Sequence, residues 1–144
     1  MVSPGNPLSI HGLDDLIGTR VRFINRQPGS GTRIWLDQQL EHLELDCKQI
    51  LGYEREVHTH LHVADEVLSG RADVGLGLQA AAIQSELDFI PLFNERYDLV
   101  IPEEQFHSPG LLPALETLHS KKFRQAIERL GGYNTQNSGV EIPM

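Results

Sequence analysis

Three times within the first 92 residues, a short strand-type run is followed by a stretch whose apolar residues have helical spacing, and this alternation limits the fold more than any other feature. Strands that alternate with helices at such short intervals pair in parallel and are covered by the helices between them. The sequence therefore predicts an α/β fold with a mostly parallel sheet. The strand-type runs are RVRFIN (20–25), YEREVH (53–58) and ADVGLGL (72–78), and the helix-type runs start near Ser30, His62 and Ala80.

The rest of the chain predicts two more strands and two helices. FIPL (89–92) and YDLVIP (97–102) have strand character, and residues 111–119 and 121–130 form amphipathic patterns, with Ser120 as the N-cap of the second helix. Residues 134–144 are polar and are expected to be loose. With 144 residues, of which 40% are hydrophobic, the chain can form one core, or one core with part of a second lobe.

The turn NRQPGSGTR (25–33) joins the first strand to the first helix. Unpaired backbone N–H groups and the positive end of the helix dipole meet at such a helix start, which favours anion binding. The turn adds hydroxyl donors, a glycine that permits close approach, and two flanking guanidinium groups. A simple capped turn is the alternative, and both interpretations stay open. The candidate ligand residues here are Arg26, Ser30, Gly31, Thr32 and Arg33.

Other nucleotide and catalytic motifs are absent from the sequence. Neither GxxxxGK[ST] nor GxGxxG occurs, so the turn is not a nucleotide phosphate loop or a dinucleotide fingerprint. Ser30 lacks the glycine-flanked pattern of a nucleophile elbow, and no pair of carboxylates can be assigned from the sequence. We therefore predict a protein that is not an enzyme, with no catalytic residues and no cofactor.

The stretch HTHLH (58–62) places three histidines at alternate positions. On a strand they would share one face and could hold zinc. A helix that starts near His62 would disperse the rings and leave them exposed or hydrogen-bonded, so no metal site is assigned. In that case Thr59 is the N-cap of the next helix, and it adds a second candidate anion-binding helix start beside the first.

Charge and hydropathy narrow the classes of partner. The net charge is −8, the pI is about 5.3, and the lysines and arginines are scattered, which argues against direct nucleic-acid binding. An acidic protein can bind an anion only in a focused local site. No signal-peptide pattern and no apolar run of membrane-spanning length are present, so the sequence predicts a cytoplasmic chain without a membrane span.

A set of segments in fixed order resembles the periplasmic-binding-protein-like domain family, which is often described as molybdate-binding and is found fused to helix-turn-helix or molybdopterin-biosynthesis domains. The resemblance covers about residues 5–135. The matching segments are GNPL, GLDDL, RFINRQPGSGTR, GYEREVHTH, VADEVLSGRADVGLG, LDFIPLFNERYDLVIP and KKFRQAIERLGGYNT.

This resemblance implies a type II binding-protein fold, in which two α/β lobes enclose a ligand cleft. Residues 1–18 would be a crossover segment from an incomplete first lobe, 19–93 the complete second lobe, and 94–133 the return to the first lobe, followed by the loose tail. The chain would then be a truncated member with one Rossmann-like lobe and part of another. The family's ligands imply that Arg26, Ser30, Gly31 and Thr32 bind molybdate or tungstate, with Arg33 and Thr59 as further candidates.

Other functions remain open at this point. The truncated lobe could act as a self-association or regulatory interaction module, because an unpaired sheet edge and apolar patches favour homo-oligomers. A small organic ligand, such as an amino acid or a pterin fragment, is a second alternative. A domain associated with an enzyme of molybdenum-cofactor metabolism is a third.

Overall fold

The computed structural model describes residues 1–142 and divides the chain into two compact units, Met1–Leu92 and Phe93–Met144. The first unit holds three strands and three α-helices, together with two short 3-10 turns at Asp14–Leu16 and Cys47–Gln49. In chain order its elements are β1 (Phe23–Arg26), α1 (Gly31–His42), β2 (Glu56–Val57), α2 (His60–Leu68), β3 (Val74–Gly75) and α3 (Gln79–Gln84).

The strands form one parallel sheet in the order β2-β1-β3. Arg26 is in register with Val57 of β2, and Phe23 is in register with Val74 of β3. All four residues of β1 are buried, as expected for the central strand of a sheet that is covered on both faces. The predicted α/β fold with a mostly parallel sheet is confirmed for this unit.

Successive residues of β1 point to opposite faces of the sheet, and each face has its own core cluster. Phe23 belongs to a cluster with Leu36 and Leu40, so α1 covers that face. Ile24 belongs to a cluster with residues of α2 and α3, which cover the other face: Val63, Ala64, Val67, Ala81 and Ala82. The first unit is therefore a three-layer sandwich.

Two of the strand predictions are wrong. Within the described residues after Gly75 there is no strand, although FIPL (89–92) and YDLVIP (97–102) have strand composition. A strand requires a neighbouring backbone to pair with, and the backbone pairing here is confined to Asp88, which exchanges two hydrogen bonds of 3.0 Å with Val2. Residues 97–102 have no paired neighbour, and Tyr97 is 92% exposed.

The described residues of the second unit form three helices: α4 (Glu103–Phe106), α5 (Leu112–His119) and α6 (Lys121–Arg129). Ser120 caps α6 as predicted, since its Oγ accepts a hydrogen bond of 3.1 Å from Phe123 N. The segment after α6 contacts that helix: Arg124 Nη2 donates to Ser138 O, and Thr135 is buried. Residues 143–144 of the tail expected to be loose lie outside the described residues.

No helix in residues 1–142 is long and apolar enough to cross a membrane.

Candidate functional site

Two turns of the first unit lead from the end of a strand to the start of a helix at the same edge of the sheet. Residues 27–30 join β1 to α1, and residues 58–59 join β2 to α2. Because β1 and β2 are parallel neighbours with Arg26 and Val57 in register, their carboxyl ends lie side by side. This edge of a parallel sheet is where α/β proteins bind ligands.

Side chains cap both helix starts, as the sequence predicts. Ser30 Oγ accepts a hydrogen bond from Arg33 N at 3.3 Å, and Thr59 Oγ1 accepts one from His62 N at 3.1 Å. Within the described part of the chain, the N–H groups of the first two residues of each helix have no acceptor. The two helix starts therefore offer four backbone donors, from Gly31, Thr32, His60 and Leu61.

Arg26 ends β1 with a side chain that is held by three neutral acceptors. The residue is only 8% exposed. Its Nε donates to Gln27 Oε1 at 3.2 Å and its Nη2 donates to His58 O at 3.0 Å. Its Nη1 lies 3.0 Å from Nδ1 and 2.9 Å from Nε2 of His60. The guanidinium thus links the first turn to the start of α2.

The charge of Arg26 is not compensated by any carboxylate among residues 1–142. Burial lowers the pKa of its guanidinium, and no acidic group opposes that effect. Within the same residues, five other arginines form ion pairs, all at 3.0 Å or less, and most of these arginines are far more exposed. The pairs are Arg22–Asp73, Arg33–Asp37, Arg55–Glu66, Arg71 with Asp65 and Glu66, and Arg96–Asp98.

His60, the first residue of α2, is half-buried beside Arg26. Burial, and then the positive charge of Arg26, lower the pKa of the His60 ring to about 4, so the ring is neutral at pH 7. The loop after β3 also comes close to the His60 ring: a Cβ built on Gly77 would lie only 3.2 Å from Nδ1 of that ring. The sequence prediction did not include His60 as a ligand residue, although its position directly after the Thr59 cap was a usable signal.

Arg33 faces a different set of groups. Its Nε donates to Asp37 Oδ1 and Oδ2 at 2.9 and 3.1 Å, and its Cζ lies 4.3 Å from the centre of the Tyr53 ring. Tyr53 Oη donates to the same carboxylate at 2.5 Å. Burial and the bond to Asp37 raise the pKa of Tyr53 to about 12. The structure therefore brings Arg26 to both helix starts but pairs Arg33 with Asp37.

The three histidines of HTHLH do not form a cluster. His58 and His62 are exposed, and His60 turns to Arg26, because α2 begins at His60 and ends the strand spacing. Among residues 1–142, no group of three histidine, cysteine or acidic side chains could hold a metal ion.

Comparison with known proteins gives one family match and two curated relatives. The PBP superfamily domain matches residues 1–119. The uncharacterized protein YvgK of Bacillus subtilis (strain 168) is 40% identical over 142 residues, which are 98% of this chain and 45% of that protein. An uncharacterized protein encoded in the 5′ region of a 2Fe-2S ferredoxin gene of Clostridium pasteurianum is 38% identical over 107 residues, 74% of this chain and 95% of that protein.

The chain thus spans less than half the length of the Bacillus relative and nearly all of the Clostridium one. No solved structure matches it.

Proposed function

Because the chain belongs to the PBP superfamily, we propose that it binds a small oxyanion at the carboxyl edge of its sheet, and that it acts as a sensor or carrier rather than as an enzyme. Molybdate and tungstate are the first candidates. The proposed ligand residues are Arg26, Ser30, Gly31, Thr32 and Thr59.

The observation that carries this proposal is the buried, uncompensated charge of Arg26. A charge removed from water is costly unless an opposite charge or strong hydrogen bonds replace the water. Three neutral acceptors hold the guanidinium in place but leave its charge intact. An anion bound beside Arg26 would supply the missing negative charge, so the site is complementary to an anionic ligand.

The donors around Arg26 suit an oxyanion with several oxygens. Four backbone N–H groups at two helix starts can each donate to an anion oxygen, and both helix dipoles place partial positive charge there. The hydroxyl groups of Ser30 and Thr59 accept from the backbone through oxygen, so their own hydrogens remain available as donors. This pattern disfavours an amino-acid ligand: among residues 1–142 no carboxylate bonds to Arg26 or His60, so no acidic group beside them would bind the ammonium group of an amino acid.

Arg33 has a supporting role in this proposal. Its bonds to Asp37 and its stacking on Tyr53 fix the first turns of α1 against residue 53, which sets the direction of the helix start. We therefore expect Arg33 to position the donors of Gly31 and Thr32 rather than to contact the anion.

The test is calorimetric titration of the whole chain with molybdate, tungstate, sulfate and phosphate. We expect Arg26→Gln to weaken molybdate or tungstate binding at least about tenfold, because a charge-assisted bond is lost from a buried site. The variant should still fold, since it removes an uncompensated buried charge. Arg71→Gln is the matched control, because it removes an exposed arginine that is paired with Asp65 and Glu66.

Unchanged affinity in Arg26→Gln, or equal losses in both variants, would contradict the site assignment.

A self-association module is the second candidate, and the surface of the second unit favours it. Large apolar side chains are exposed there, among them Val100 at 81% and Val140 at 61%. A groove of about 520 Å³ is lined by Phe106, Leu112, Leu115 and Leu118, with other residues. Sedimentation across a concentration series distinguishes the two functions, because self-association would raise the mass whether or not anion is present.

A further inference from the structure

We propose that His60 is itself a ligand-binding residue of this site, and that it takes up a proton when a doubly charged oxyanion binds. The inference rests on the proposed function, to which it adds one ligand residue, His60, and the uptake of one proton. Its consequence is that oxyanion affinity rises as the pH falls towards 5.

The geometry around Arg26 Nη1 is the first support. That atom lies almost equally far, 3.0 and 2.9 Å, from the two ring nitrogens of His60. A neutral imidazole carries one N–H and one acceptor nitrogen, so only one ring nitrogen at a time can accept from Arg26. The backbone N–H of His60 is one of the four free donors, so the His60 ring and the His60 N–H both border the proposed anion site.

The groups facing the ring are the second support. Arg26 contacts the ring from β1, and the loop after β3 contributes the uncharged Gly77. The Met1 side chain also lies against Gly77, and the Met1 amino group donates to Gly75 O at 2.9 Å. His58 and His62 on the same segment are exposed. No acidic side chain among the described residues contributes to the titration of His60.

The electrostatic balance at the ring therefore changes sign when a dianion binds. Without an anion, burial and the Arg26 charge keep the ring neutral, with a pKa of about 4. A dianion beside Arg26 outweighs the single positive charge, so the imidazolium form becomes favourable. The proton comes from solvent, one for each anion bound.

Protonation also rearranges the hydrogen bonds. An imidazolium has two N–H donors and no acceptor, so it can no longer accept from Arg26 Nη1. Nη1 is then free to donate to the anion, and one ring N–H can donate to a second anion oxygen. The neutral histidine thus holds Nη1 of Arg26 when no anion is bound, and the charged histidine releases that nitrogen, while Nε and Nη2 keep their bonds to Gln27 and His58.

Calorimetric titrations of the whole chain with tungstate and with sulfate, at pH 5.5 to 8, test the inference. Sulfate keeps its double charge throughout this range, so any change in its affinity comes from the protein. We expect the dissociation constant to fall by up to tenfold per pH unit as the pH is lowered, with proton uptake visible as a dependence of the binding heat on the buffer. His60→Gln should bind with little pH dependence, and His62→Gln, the exposed control, should behave like the parent chain.

The outcomes separate this inference from the proposed function. Anion binding that does not vary with pH in the parent chain overturns the role of His60 and leaves the anion site intact. No anion binding at any pH overturns both. If His60→Gln does not fold, the ring can be titrated by NMR in the parent chain with and without saturating tungstate. A His60 pKa that the anion does not raise would then refute the inference.

Discussion

Arg26 and Arg33 flank one turn with identical side chains in different electrostatic states. Arg33 has a carboxylate one helical turn ahead of it, and this i,i+4 spacing to Asp37 can be seen in the sequence. Arg26 has neutral partners that come from β2 and α2, much further along the chain. The turn alone predicts Arg26 as a candidate ligand residue, but it does not show that the charge of Arg26 is uncompensated, because this depends on where the acidic groups of the described residues lie in three dimensions.

The lowered pKa of His60 has a consequence for stability without ligand. In the unfolded chain the ring titrates near its ordinary value of 6.5, whereas in the folded protein it titrates at about 4. Between these values the unfolded state binds more protons, so the free energy of unfolding falls as the pH falls from 6.5 to 4. Urea unfolding in sulfate-free buffer at pH 4, 5, 6 and 7 measures this.

We expect His60→Gln to lose less stability over this interval than the parent chain. Equal losses in the two proteins would show that other groups cause the acid sensitivity. The comparison with His60→Gln is needed because burial lowers the pKa of the Met1 amino group to about 6. That group also lowers the free energy of unfolding as the pH falls, but over a higher pH range.

At the scale of the elements, helix starts were easier to predict than strands. The caps at Ser30, Thr59 and Ser120 depend on residues three positions away, so local sequence contains the information. Strand formation depends on a distant partner, which is why FIPL and YDLVIP have strand composition without being strands. His60 was missed for a related reason: the sequence places the helix start near His62 and predicts rings that are exposed or hydrogen-bonded, and it does not show that Arg26 of a distant strand lies beside His60.

The start of β1 depends on a glycine that the sequence did not single out. Gly52 has a φ of +95°, and a Cβ there would overlap the backbone oxygen of Phe23. We expect Gly52→Ala to cost about 3 kcal/mol or more of unfolding free energy, because strain and overlap add together. Gly70→Ala is the control, since Gly70 has a φ of +70° but nothing within 4 Å, and it should cost about 1 kcal/mol. Urea unfolding measures both variants, and similar losses of unfolding free energy in Gly52→Ala and Gly70→Ala would contradict the role assigned to Gly52.

At the scale of the whole molecule, the two units differ in how they are stabilised. Both hydrophobic core clusters lie within Met1–Leu92. Among the described residues of the second unit, Thr135 alone is buried. Composition and length predicted one core, or one core with part of a second lobe, but they could not choose between the two or show how much apolar surface the second unit leaves exposed. The family's lobe boundaries, and the idea of a truncated first lobe, remain predictions.

We therefore expect a fragment of residues 1–92 to unfold cooperatively and to keep the proposed anion site. Its thermal midpoint should lie within a few degrees of that of the full chain and should rise with tungstate, since a ligand that binds only the folded state stabilises it. Residues 93–144 alone should show no cooperative transition by circular dichroism. A fragment 1–92 that does not fold would mean that the second unit contributes to the core.

The distance along the chain between Arg26 and His60 has a kinetic consequence. The two residues are 34 positions apart and meet only when β1 and β2 have paired and α2 has formed on the sheet. An anion that joins the two helix starts, as proposed above, can therefore stabilise the folded structure, but it has little to bind while the chain is still folding. Bound oxyanion should accordingly slow unfolding rather than speed refolding, so that its main effect is a longer lifetime of the folded state.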